Sequence, residues 1–116
     1  MAGYIGSKAV NLSTTGADIN GDANIDGTLT SDGLTVDGDG SFSGTIPRLT
    51  LFETDLTDEN AQFLLQTKEL RLGSVTDAGA SFTDRFKVNV ATGDISFYED
   101  TGNTAKFHWS ASDERL

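Results

Sequence analysis

Residues 22–27 read D-A-N-I-D-G, which places Asp22, Asn24 and Asp26 at the first, third and fifth positions of an oxygen-donor calcium loop. Gly27 at the sixth position and Leu29 at the eighth also fit. The twelfth position should hold a bidentate Glu but is Gly33, and the flanks are Gly-rich β-formers rather than helices. A repeating unit of short strand, Asx turn and glycine explains the same letters. A cation would then be held only where copies of Asp22, Asn24 and Asp26 meet on an axis, or likewise around Asp37, Asp39 and Gly40. His108 is the single histidine, next to Trp109 at an alternate position of a strand. A catalytic triad needs a nucleophile and an orienting acid around it, so His108 is read as a surface or interface residue. Three carboxylate pairs occur: Asp58 with Glu59, Glu99 with Asp100, and Asp113 with Glu114. Glycoside hydrolysis requires two carboxyls held across a cleft, whereas these pairs fall in expected turns or in the tail. Phe97, Tyr98, Phe107 and Trp109 could line a sugar-binding face, but strand alternation makes them core residues, with Tyr98 the exposed one. Neither the G-x-x-x-x-G-K nor the post-strand G-x-G-x-x-G phosphate pattern is present. No catalytic residue and no cofactor is assigned, and the chain is not expected to be an enzyme.

The elements that must carry these residues differ on either side of Pro47. Nine of the thirteen glycines lie in residues 1–46, whose only aromatics are Tyr4 and Phe42. A segment so poor in large side chains cannot bury a core alone. The net charge of −10 splits evenly, −5 before Pro47 and −5 from Pro47 onward. Such even acidity excludes the basic face of a nucleic-acid binder and disfavours an anionic membrane surface. The absence of cysteine removes disulfides, thiol catalysis and cysteine-ligated zinc. No apolar run is long enough for a membrane-spanning helix. The start MAGYIGSKAVNLS lacks the apolar block of a secretory signal, so export by that route is not expected.

In the first part the glycines set a rhythm. I-N-G, I-D-G, S-D-G, V-D-G and F-S-G end at Gly21, Gly27, Gly33, Gly38 and Gly44, spaced six, six, five and six residues apart. Between them lie short β-forming pieces such as T-L-T (28–30) and L-T-V (34–36). Each unit is predicted to be a very short strand followed by a tight turn, and such units need stacking partners. Copies wound about a common axis would bury Ile19, Ile25, Leu29, Leu34, Val36, Phe42 and Ile46 together. A closed cyclic oligomer achieves this, and a homotrimer is the expectation. Ser31 replaces the usual aliphatic residue in one unit and loosens the axis there.

From Pro47 the pattern is a small antiparallel β-meander. Residues 48–53 alternate, with Leu49 and Leu51 on one face, and residues 54–60 form a turn. A hairpin spans 62–66 and 69–73, with Phe63, Leu65, Leu70 and Leu72. A loop covers 74–84. A strand over 85–90 places Phe86, Val88 and Val90 together. After a turn at 91–94, strands over 94–99 and 104–110 carry Ile95 with Phe97, and Phe107 with Trp109. The apolar faces exceed what a lone module can cover.

Three stretches resemble tail-fibre proteins of tailed bacteriophages, especially marine ones: GYIGSKAVNLSTTGADINGD (3–22), GTLTSDGLTVDGDGSFSG (27–44) and FKVNVATGDISFYEDTGNTAKFHWSAS (86–112). The order of these words along one chain is more specific than any word alone. The resemblance implies that residues 1–18 are a virion-attachment segment, with Tyr4, Ile5, Val10 and Leu12 as apolar anchors on a tail or other virion protein. It implies that residues 19–46 form a trimeric intertwined shaft and that residues 47–116 form a β module widening it. In that family the pattern runs on into further shaft and a receptor-binding tip, which places host surface glycans or proteins among the possible distal partners. The expected role is a structural virion protein of the tail serving host attachment, assembled in the host cytoplasm. A capsid fibre or decoration protein shares the same shaft logic. A calcium-dependent adhesion or carbohydrate-binding module is the alternative of another class.

Overall fold

The computed structural model describes residues 19–116; Tyr4, Ile5, Val10 and Leu12 lie outside the described residues. The chain divides into two units at Asp37/Gly38, and each is treated by itself. Residues 19–37 are exposed, extended backbone without a strand. The predicted strands T-L-T and L-T-V are therefore not formed by the chain on its own, because no second segment pairs with them. The glycine of D-A-N-I-D-G does turn the chain: Gly27 has φ 140°, a conformation that costs glycine little and other residues more.

The second unit, Gly38–Leu116, contains one six-stranded sheet in the order β1-β2-β3-β4-β5-β6. The strands are β1 (Arg48–Leu51), β2 (Asn60–Gln66), β3 (Glu69–Val75), β4 (Phe82–Asn89), β5 (Ile95–Tyr98) and β6 (Ala105–Trp109). Every neighbouring pair is antiparallel. The described chain is all-β, without a helix.

The β2–β3 hairpin aligns Phe63 with Leu72 and Leu65 with Leu70, as the alternation predicts. Its two-residue turn places Thr67 and Lys68 at φ 49° and 68°, the geometry of a type I′ turn built without Asn or Gly. The loop predicted over 74–84 shrinks to 76–81. Ser74 and Val75 extend β3, and Phe82, Thr83 and Asp84 begin β4. A bulge between Leu72 and Gly73 shifts the register there, which breaks the period-two pattern. A Cβ on Gly73 would strike the Phe82 ring and the Thr83 carbonyl, so a side chain at this position would displace Phe82.

The core of the sheet is small. Leu64 (5% exposed) and Val75 (2%) are its only buried hydrophobic residues among those described, alongside buried Asn60, Gln62 and Asp84. One sheet without a second layer normally lacks a core, and the little burial here lies on the polar side. The aromatic residues are not the core predicted for them. Phe97 and Phe107 are exposed, while Tyr98 is half-buried.

Candidate functional site

Strand alternation sorts the side chains of the sheet onto two unlike faces. The polar face takes Thr50, Gln62, Leu64, Arg71, Asp84, Lys87, Ser96 and His108, as the cross-strand partners show. Arg71 donates through Nε and Nη2 to the two carboxylate oxygens of Asp84 at 2.8 and 2.7 Å. A third bond runs from Nη1 to Gln66 Oε1 at 3.2 Å, and the guanidinium lies 4.9 Å from the Phe82 ring centre. Lys87 Nζ stands 3.3 Å from Glu69 and 3.5 Å from Asp84, over the Tyr98 ring. The hydrogen bond to Asp84 holds Arg71 above its ordinary value. Partial burial pulls Lys87 down, but Asp84 and Glu69 outweigh it and the net shift is upward. Both cations stay charged near neutral pH, so neither can exchange protons there as a catalytic base must. Among the described residues no buried side-chain nitrogen or oxygen lacks a partner. These groups form a satisfied structural network.

Asn60 fastens the loops at one end of the sheet. Its Oδ1 accepts from Glu53 N at 2.9 Å, and its Nδ2 donates to Asp77 Oδ1 at 2.7 Å. Asp58 and Asp77 accept from each other's backbone N–H, at 2.9 and 3.2 Å. The β5–β6 turn is organised by Glu99. Its Oε1 accepts from Asn103 N, Thr104 N and Thr101 Oγ1 at 2.7–2.9 Å. Arg85 Nη1 donates to the Glu99 and Asp100 carbonyls at 3.2 and 2.6 Å. Gly102, at φ 75°, fits against the backbone of Asp84 where a Cβ would clash.

The chemically suggestive residues separate accordingly. Ser96 Oγ and His108 Nδ1 share a hydrogen bond at 2.9 Å across β5 and β6. The neighbouring Asp94 directs its oxygens to Ala111 N and Thr92 Oγ1 instead, so the pair lacks the orienting acid of a triad. Of the carboxylate pairs, Asp58 and Glu99 are turn caps, and Asp113 accepts from Ser110 Oγ at 3.2 Å and faces Arg115 at 3.6 Å. Asp22, Asn24 and Asp26 lie exposed on extended backbone. Among the described residues no three His, Cys, Asp or Glu side chains gather as a metal site.

The opposite face is apolar. It pairs Leu49 with Phe63, Phe63 with Leu72, Leu65 with Leu70, Leu70 with Val88, Phe86 with Phe97, Ile95 with Trp109 and Phe97 with Phe107. Phe97 packs at 5.1 Å from Phe86 and 5.4 Å from Phe107, centre to centre, within the usual range for tilted aromatic pairs. Phe86, Ile95, Phe97, Phe107, Trp109 and Leu116 line an open hollow of about 370 Å³. Tyr98 is on the other side, which removes it from the aromatic set proposed for sugar contact. The Arg71–Asp84 network and the Asn60 staple are not evident in the sequence. The signal that could have found them is the polar alternation N-x-Q-x-L-x-Q in β2. No protein-family model and no curated protein sequence matches this chain.

Proposed function

We propose that the chain is a non-enzymatic structural subunit of a bacteriophage fibre, of the tail-fibre kind. Residues 19–46 of several copies, three in the form we favour, intertwine as a shaft. Residues 1–18 attach the shaft to a tail or other virion protein, and residues 47–116 form the β module that widens it. Its role is mechanical: a multivalent mount that raises the avidity of weak contacts with a host surface. The observation that supports it best is the exposure of the repeat aliphatics: Ile19 65%, Ile25 53%, Leu29 59%, Leu34 75%, Val36 55% and Phe42 66%, with only Ile46 half-buried. Apolar residues recurring at glycine-marked intervals on unpaired extended backbone suit an inter-chain core and serve no purpose in a lone chain.

Sedimentation equilibrium of the full chain is expected to give a multiple of the 12.3 kDa subunit, three-fold in the favoured form. A monomer at micromolar concentration overturns the fibre reading. Deleting residues 1–12 is expected to leave the oligomer intact and abolish incorporation into particles. Normal incorporation refutes the attachment role.

A further inference from the structure

We propose that the apolar face of the β1–β6 sheet is itself a self-association surface, covered by the same face of other copies of this chain; this rests on the fibre reading and assigns it a second interface. Leu49, Phe63, Leu65, Leu70, Phe97 and Phe107 are each 40–48% exposed on that face. Taking about 200 Å² for each whole side chain, the six leave on the order of 500 Å² of apolar surface in water. The half-buried residues between them bring the face toward the roughly 800 Å² per partner of a stable interface. A contiguous apolar area this large marks an interaction site in a soluble chain.

Two features select another copy as the occupant. The face carries no charged strand residue at its paired positions; the ion pairs of Arg71, Asp84, Lys87 and Glu69 all sit on the reverse. A charged partner would meet only Arg85, which lines a hollow with Ala61, Leu72 and Ser74 at one edge of the face and is already bonded to the Glu99 and Asp100 carbonyls. A chain of net charge −10 could approach its own copies only where like charges are absent. Second, the repeat series runs into this surface. Phe42 lines a hollow of about 260 Å³ together with Leu49, Phe63, Leu65 and Leu70. The last aromatic of the repeats and the first apolar strands of the sheet thus share one surface, so the copies that intertwine the repeats also bring their sheets together. Each sheet then gains the second layer it lacks, with the polar network turned to water.

The absence of cysteine allows a direct test in the full chain. Phe97→Cys and Leu65→Cys place a thiol on the apolar face, and His108→Cys places one on the exposed reverse, opposite Ser96. In the native oligomer the first two thiols are expected to react with a maleimide at least about tenfold more slowly than the third, because labelling requires opening of the interface. All three should react alike in denaturant. Phe97→Asp is expected to weaken association by at least about thirtyfold, as loss of a buried aromatic anchor does, with the far-ultraviolet dichroism of the sheet retained. Equal labelling rates in a wild-type-like oligomer, or a Phe97→Asp oligomer of unchanged mass, overturn the sheet interface and leave the shaft standing. If Phe97→Asp loses its β dichroism, the labelling rates decide. A wild-type chain that is monomeric overturns the shaft and the sheet interface together.

Discussion

Among single residues, the acids do the most local work, and they do it by organising backbone. Thr104 N–H, the Thr101 hydroxyl and Asn103 N–H donate to Glu99 and hold its carboxyl below the ordinary range. Asp94 is lowered in the same sense, first by Ala111 N–H and then by Thr92. A carboxylate whose folded value is depressed contributes stability above the unfolded value, near pH 4.3 for Glu, and loses it as the pH falls through the folded value. Glu99→Gln keeps an acceptor oxygen but cannot titrate. Its denaturation midpoint is therefore expected to fall less steeply between about pH 5 and 3 than that of the wild type. Identical acid slopes would mean that the Glu99 carboxyl titrates alike in the folded and unfolded chain and adds no pH-dependent stability. The sequence placed Glu99 in a turn but could not show that its carboxylate closes that turn, because the three donors converge only once β5 and β6 are paired.

Among the elements, the β2–β3 hairpin is the most legible and the most strained. Phe63, Leu65, Leu70 and Leu72 fix its register by alternation alone. Its turn, Thr67–Lys68, holds two side-chain-bearing residues at positive φ, each at a cost relative to Asn or Gly. Thr67→Asn combined with Lys68→Gly is expected to stabilise the protein by about 1 kcal/mol, measured by urea denaturation at fixed protein concentration. A destabilised double variant would show that the Thr67 and Lys68 side chains make contacts outweighing their backbone strain. Where the strand limits differ from expectation, bulges are the cause. The shift at Leu72/Gly73, where Arg85 is the extra residue, hid the β3 end and the β4 start. Tyr98, by contrast, reaches the polar face by plain alternation with Phe97, the extra residue at that end of the sheet being Lys106 of β6. A period-two reading assumes unbroken alternation and cannot anticipate an extra residue.

For the molecule as a whole, the described residues of one chain bury only two hydrophobic side chains, Leu64 and Val75, and in the proposed assembly association and folding are linked. The melting temperature is expected to rise with protein concentration, as it does when a folded state is stabilised by its own partners. A melting temperature independent of concentration over a hundredfold range would argue for a self-sufficient subunit. The sequence by itself determined the all-β class, the glycine rhythm and which residues are apolar at alternate positions, because these depend on local propensity and period. It also returned D-A-N-I-D-G to its series as one turn of the repeat. Only the tertiary structure decided which strands are neighbours, that Arg71, Asp84, Lys87 and Glu69 close one network, and that the apolar side of the sheet is the open one. Those depend on residues up to twenty positions apart meeting across a bulged sheet, and no local pattern encodes such a meeting.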